Sequence, residues 1–333
     1  MQTFLLDRYG KKEAGRLSEM PEPEVRDDDV LIQIHAASVN VLDLKIKSGE
    51  FKLILPYRLP LILGNDVAGT VIQVGARVRG FKIGDEVFSR PDDDRIGTFA
   101  ERIAVKASSL ALKPKNLTMV EAAALPLVAL TAWQTLVETA KLKKGEKVLI
   151  QAGSGGVGTI AIQLAKHLGA FVATTTSTAN VDWVKALGAD VVVDYKKQDF
   201  TTVLRDYDVV LNSLGNYELN KSLQVLKPGG HLISISGPPT PTFAAARGLG
   251  WPLRQVLRLL SFGIRHKVKK MGGRYTFVFM RADGAQLQEI TSLVEAGAIH
   301  PIVDKVFPFQ DTGQALAYVE SGRAKGKVVV QVL

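Results

Sequence analysis

Three glycines, Gly153, Gly155 and Gly158, stand at the spacing G-x-G-x-x-G. A turn of that kind brings bare backbone N–H groups up to a phosphate. The spacing alone is common, and its surroundings give it meaning. Before it runs Lys147-Val-Leu-Ile-Gln-Ala152, an apolar stretch too short for a helix, which reads as a buried strand. After it, Val157, Ile160, Ala161, Leu164, Ala165 and Leu168 recur at the spacing of one helical face, and Gly169 sits where a C-terminal cap belongs. A second strand, Phe171–Thr176, follows. Strand, glycine turn, helix and strand form a βαβ unit, and the helix dipole favours an anion at the turn. The pyrophosphate of a dinucleotide is the expected ligand, held at Gly153, Gly155, Gly156, Val157 and Gly158. Gly155 or Gly156 is the position that lets it reach the backbone.

Other chemistries have less to work with. The chain has no cysteine, which removes disulfides, thiolate metal ligands and a thiol nucleophile. Its histidines, at 35, 167, 231, 266 and 300, show no paired metal spacing, so no metal is expected. The apolar start Met1–Leu6 is cut by Asp7 and Arg8 and is no signal peptide, and the longest apolar run, Ala122–Trp133, is broken by Pro126. A cytoplasmic protein is expected. The formal charge of +9 suits nucleic acid, anionic lipid or an anionic cofactor and does not choose among them.

The elements around the turn indicate two domains, as 333 residues would suggest. Before residue 114, short β runs punctuated by glycines, among them Val30–Ala37, Ala68–Val71 and Gly84–Val87, predict a small irregular β domain. Ala122 to Ala140 reads as helical with Pro126 inside. Beyond the glycine turn, Val191–Tyr195, Tyr207–Asn212 and Gly230–Ser236 alternate with helical stretches, which specifies a doubly wound parallel sheet. Residues 275–333 contain helices near 286–296 and 313–320 and a terminal strand Lys327–Val332, and are expected to return to the first domain. The domain boundaries are thus placed at 1–121, 122–274 and 275–333.

In order and spacing, Ala37-Ala-Ser-Val-Asn40, Leu63-Gly-Asn-Asp66, Gly84-Asp-Glu-Val87, Gly97-Thr-Phe-Ala-Glu101, Leu130-Thr-Ala-Trp133, Ala152–Gly158, Leu187-Gly-Ala-Asp190 and Gly322–Val328 resemble the medium-chain dehydrogenase/reductase superfamily, in its zinc-free quinone oxidoreductase and enone reductase branch. The resemblance implies an α/β protein with a GroES-like domain and a Rossmann domain. Zinc-bearing members carry Cys near Asn40 and Gly-His-Glu at Gly64-Asn65-Asp66, and both soft ligands are missing here. What it implies instead is transfer of hydride from a nicotinamide to a quinone or an α,β-unsaturated carbonyl, with Asn40 facing nicotinamide and substrate and Thr131 near the carboxamide. Tyr57, the nearest phenol, is a candidate to polarise a carbonyl or deliver a proton, and equally a packed aromatic before Pro60.

An NAD site wants an acid after the second Rossmann strand, but Thr174-Thr-Thr176-Ser177-Thr178 has none, and Asp182 falls in the next helix. Thr176, Ser177 and Asn180 can instead bond a 2′-phosphate. Tyr195 resembles a family position against that phosphate, Lys327 is a more distant candidate, and Asn212 closes a neighbouring strand. No cation follows the second strand directly, yet NADPH is the expected cofactor ahead of NADH.

A segment from Phe243 to Arg274 stands apart. Leu253, Val256, Leu257, Leu260 and Ile264 form one helical stripe, while Arg254, Arg258 and Arg265 share another face. The segment 252–274 is expected either to cover the substrate cleft or a subunit contact, with its basic face in water, or to dock on anionic membrane. A homodimer is expected and nucleic acid is not. Two other functions remain open at this stage: a non-catalytic binding protein for RNA or membrane on the same fold, and a reductase of an acyl or xenobiotic acceptor.

Overall fold

The computed structural model describes residues 1–333. The chain forms two compact units, one of Met1–Leu130 with Arg281–Leu333, the other of Thr131–Met280. Both divisions fall later in the chain than the sequence boundaries at 121 and 274. The strands in chain order are β1 Gln2–Leu6, β2 Arg16–Glu19, β3 Asp29–Val39, β4 Leu61–Ile62, β5 Asp66–Val74, β6 Glu86–Ser89, β7 Arg102–Lys106 and β8 Leu110–Leu112. Then come β9 Lys147–Ile150, β10 Phe171–Thr176, β11 Val191–Asp194, β12 Tyr207–Asn212, β13 Leu226–Ser234 and β14 Arg274–Phe277, and finally β15 Val303–Pro308 and β16 Lys327–Gln331.

In the first unit, β15-β16-β3-β5-β6-β8 form one sheet with β7 also on β3, and β2-β1-β4 form a smaller one. Its core alternates along β3, where Val30, Ile32 and Ile34 pack with Val67, Val71, Val87 and Val105, the period-two pattern of a sheet face. The C-terminal strand β16 pairs antiparallel with β3, Val328 opposite Val39, which seats residue 327 beside the end of β3.

The second unit is a parallel sheet in the order β11-β10-β9-β12-β13-β14. Val148, Leu149 and Ile150 of β9 are all fully buried, as expected of a strand covered on both faces. Strand order reverses between β9 and β12, and in such sheets the ligand crevice opens at the carboxyl ends there.

The continuous helix read over 122–140 is interrupted. Met119–Ala123 and Pro126–Trp133 are separate helices, and Gln134–Thr139 winds as a wider π-helix. Pro126 explains the break: it has no N–H to continue a helix and is tolerated where one begins.

Candidate cofactor crevice and buried polar cluster

The glycine turn joins β9 to the helix Gly156–His167, whose N-cap is Gly155 in extended conformation. The N–H groups of the first helical turn have no carbonyl one turn earlier and face the crevice side of the turn. The three motif glycines differ in purpose. A Cβ at Gly158 would stand 2.3 Å from the Ala152 carbonyl oxygen, and one at Gly153 2.2 Å from Thr174 Oγ1, so both glycines let backbone and strand close together. A Cβ at Gly155 would meet only the Ala152 oxygen at 3.4 Å. Gly155 is therefore the open position of the cradle, and the residues present fit a pyrophosphate.

At the end of β10 the hydroxyls divide. Thr174 Oγ1 donates to the Ile150 carbonyl at 2.6 Å, and Thr175 Oγ1 accepts from the Ala152 N–H at 3.2 Å. Thr176 Oγ1 is buried and has no partner, and a buried hydroxyl in that state is costly unless a ligand completes it. Ser177 and Asn180 are held locally: the Asn180 amide donates to Ser177 Oγ at 3.1 Å and accepts from Trp183 Nε1 at 3.0 Å. These two bonds orient the Asn180 amide within the loop and use one of its two N–H donors.

The strand register brings in residues that linear reading missed. Thr176 pairs with Asp194 at the end of β11, and the Tyr195 N–H donates to the Thr176 carbonyl at 3.0 Å. Lys196 and Lys197 follow, Lys196 Nζ lying 5.5 Å from the centre of the exposed Tyr195 ring. The cation sought directly after β10 thus stands after β11. The signal was the pair of lysines behind Tyr195. Asp194 is itself engaged, accepting from the Lys196 N–H at 3.0 Å. Its carboxyl stays below the usual range because hydrogen bonds from Thr178 and Lys196, with the charges of Lys197 and Lys196, outweigh the larger single effect of burial, which raises it.

Asn212 lies in a hydrogen-bond network between strands. Its fully buried amide donates to Gln151 Oε1 at 2.6 Å and accepts from Ser234 Oγ at 2.7 Å, while Gln151 donates to Ser222 Oγ. It ties β12 to the end of β9 and to β13. Thr131, buried, has its carbonyl accepting from Thr135 Oγ1 at 2.7 Å.

In the first unit, Asn40 ends the β3 segment and caps the helix Val41–Ser48, its N–H donating to Asp43 at 2.7 Å. Its amide is held at both ends. Nδ2 donates to Asp66 Oδ2 at 2.8 Å, and Oδ1 accepts from the Lys327 ammonium. Lys327 donates further to Asp66 Oδ2 at 3.1 Å and to the Val39 carbonyl at 3.2 Å. Asp66 also accepts from Ser38 Oγ and from the Leu127 N–H, both at 2.7 Å. Asp43 accepts from Asn65 Nδ2 at 2.7 Å. Burial pushes the Asp43 carboxyl up to about 6, with the Asn65 and Asn40 hydrogen bonds opposing it. Asn40 is held in a buried network, and one sequence assignment changes here: Lys327, only 5% exposed, has its ammonium in that network rather than on a phosphate. Tyr57 is half-buried with its hydroxyl out of water, and its carbonyl accepts from the Tyr9 hydroxyl at 3.0 Å.

Residues 26–115 match the model of the alcohol dehydrogenase GroES-like domain, and residues 187–330 that of zinc-binding dehydrogenases. The chain is 36% identical to 2-methylene-furan-3-one reductase of Solanum lycopersicum, an alignment spanning 99% of this chain and 79% of that protein. The chain belongs to the medium-chain dehydrogenase/reductase superfamily, in its quinone oxidoreductase branch. A second relative in the superfamily, the chloroplastic NADPH-dependent alkenal/one oxidoreductase of Arabidopsis thaliana, is 35% identical over 99% of this chain and 79% of its own. Among solved structures, a quinone oxidoreductase from Coxiella burnetii superposes with a TM-score of 0.87 at 30% identity, covering 100% of this chain and 99% of its own.

The family matched by residues 187–330 is that of zinc-binding dehydrogenases, and the cluster around Asn40 does not fit that ion. Its donors are amide and carboxylate oxygens, without thiolate or imidazole, and they already converge on an ammonium. No group of three His, Cys, Asp or Glu side chains is spaced to hold a metal.

Proposed function

We propose that the protein is an NADPH-dependent reductase of quinones or α,β-unsaturated carbonyls that works without a catalytic metal. The observation that carries the cofactor choice is the edge formed by β10 and β11. A buried hydroxyl without a partner, Thr176, lies in register with the strand end that leads into Tyr195, Lys196 and Lys197, and no acid occupies Thr174–Thr178. That edge favours a 2′-phosphate over a bare ribose. The names of the Solanum and Arabidopsis relatives support the acceptor class, an electron-poor carbon conjugated to a carbonyl. A bound dinucleotide would supply the hydride. The chain's own residues do the rest. First-turn N–H groups from Gly156 to Gly158 would hold the pyrophosphate, and Tyr195, Lys196 and Lys197 would take the 2′-phosphate. Lys327 and Asp66 fix Asn40, which acts as a positioning residue at the start of its helix. Tyr57 is the candidate proton donor to the acceptor oxygen.

Steady-state rates of NADPH and NADH oxidation across quinones, enals and enones, before and after exhaustive chelation, test this reading. It expects turnover with at least one class, faster with NADPH, and unaffected by chelation. Tight NADPH binding without turnover of any acceptor would favour a binding protein on this fold, and stoichiometric zinc needed for activity would remove the metal-free mechanism.

A further inference from the structure

We propose that the helix Trp251–Lys270 docks the protein on the surface of an anionic lipid bilayer. Between Glu218 and Asp283 the chain has no carboxylate side chain, yet it holds eleven of the 42 Lys and Arg. The rest of the sequence carries 31 basic against 33 acidic side chains, so the whole positive excess of the protein resides in this one stretch. Six of the eleven lie on the helix itself.

The helix buries a narrow face. Leu257, Ser261, Ile264 and Val268 point inward, and Ile264 and Val268 join the core beneath β13. The broader stripe expected from the sequence does not form, because Val256 and Leu260 are 49% and 61% exposed. Outside are Leu259 at 75%, Trp251 at 72% and Phe262 at 60% exposure. At 100° per residue, Leu259, Phe262 and His266 stand opposite the buried face, and the Phe262 and His266 rings stack at 5.6 Å. Arg258, Arg265 and Lys269 flank this stripe on one side, Lys267 and Lys270 on the other.

An exposed apolar stripe between two rows of cations wants a partner that is apolar in depth and anionic at its surface. A second copy in two-fold contact would set the cations against themselves. A nucleic acid would leave Leu259 and Trp251 without apolar cover. A bilayer offers phosphates at the headgroup level and acyl chains just below, and both kinds of side chain are satisfied with the helix lying flat. No helix of the chain is long and apolar enough to cross a membrane, so the helix rests on the surface.

Sedimentation of the full-length protein with vesicles of phosphatidylcholine alone, or mixed with phosphatidylglycerol, tests the proposal. Binding is expected to the mixed vesicles only, to weaken with salt, and to shift Trp251 emission to the blue, a shift absent in Trp251→Phe. Leu259→Glu with Phe262→Glu should abolish it. Replacing Lys267, Lys269 and Lys270 by Gln should weaken it about fivefold per cation removed. NADPH binding by each variant confirms the fold and keeps this test apart from that of the catalytic reading. The proposal is overturned by no binding to the mixed vesicles at low salt, by equal binding to phosphatidylcholine alone, or by a Leu259→Glu protein that turns from dimer to monomer while vesicle binding persists.

Discussion

Lys327 and Asp66, 261 residues apart in sequence, meet at 3.1 Å with side chains only 5% and 0% exposed. Removing one partner of such a pair leaves a bare charge in the interior, which costs about 3–5 kcal/mol. Lys327→Met is expected to lower stability by that order in urea unfolding, and adding Asp66→Asn to recover a large part of it. Unchanged stability in the single variant would mean that Asp66 is satisfied by Ser38, Asn40 and Leu127 alone.

The motif glycines should separate binding from folding. A Cβ at Gly155 meets only one atom, at 3.4 Å, and Gly155→Val needs no unusual backbone angle. It is expected to fold with near-native stability and lose NADPH affinity at least tenfold. Gly158→Ala forces a carbon to within 2.3 Å of a carbonyl oxygen and should be destabilised by roughly 1–3 kcal/mol. Calorimetry and fluorescence titration read the two effects independently. Full NADPH affinity in Gly155→Val would place the pyrophosphate elsewhere.

Cofactor discrimination should reside in Lys196 and Lys197. A charge-assisted hydrogen bond contributes about 1.5–3 kcal/mol, so Lys196→Gln with Lys197→Gln is expected to weaken NADPH at least tenfold while leaving NADH nearly unchanged. Equal losses for the two cofactors would show that the lysines act only as general positive charge.

Burial, aided by the nearby charge of Arg274, pushes the His231 imidazole down to about 4. The unfolded chain, with its ordinary value of 6.5, then binds the extra proton first. The stabilisation is complete above 6.5 and is lost as pH falls toward 4, by ~1–3 kcal/mol. Urea midpoints at pH 7 and pH 5 should diverge for the native protein and converge for His231→Gln, which can keep a hydrogen bond to Thr276 Oγ1. Parallel decline in both proteins would assign the acid sensitivity to other groups.

Five strands of the parallel sheet were legible because each is a short apolar run with its own turn, whereas β14, Arg274–Phe277, was missed and most of it assigned to the segment returning to the first domain. Phe171–Thr176, read from sequence, is the span that β10 occupies. The glycine cradle was legible for the same reason, being contiguous. What pairs across strands was hidden. Nothing in the linear text sets Lys196 beside Thr176 until β10 and β11 take their register, and nothing announces that Asn40 is bound by a lysine 287 residues on. The stripe on the helix Trp251–Lys270 was misread because periodicity identifies a face, whereas the width of that face depends on how much of it the neighbouring elements cover.

The pairing of β16 with β3 also sets an order of events during synthesis. Every strand of the Thr131–Met280 unit leaves the ribosome before Lys327 does, so that unit can close while the other still waits for its last strand and for the only cation in the Asn40 cluster. Until then the nascent chain carries Asp66 with no ammonium against it, and water must serve in its place. The amino-terminal half of the protein is therefore the last to mature, and a nascent chain stalled short of residue 327 would present a finished nucleotide fold joined to an unfinished partner.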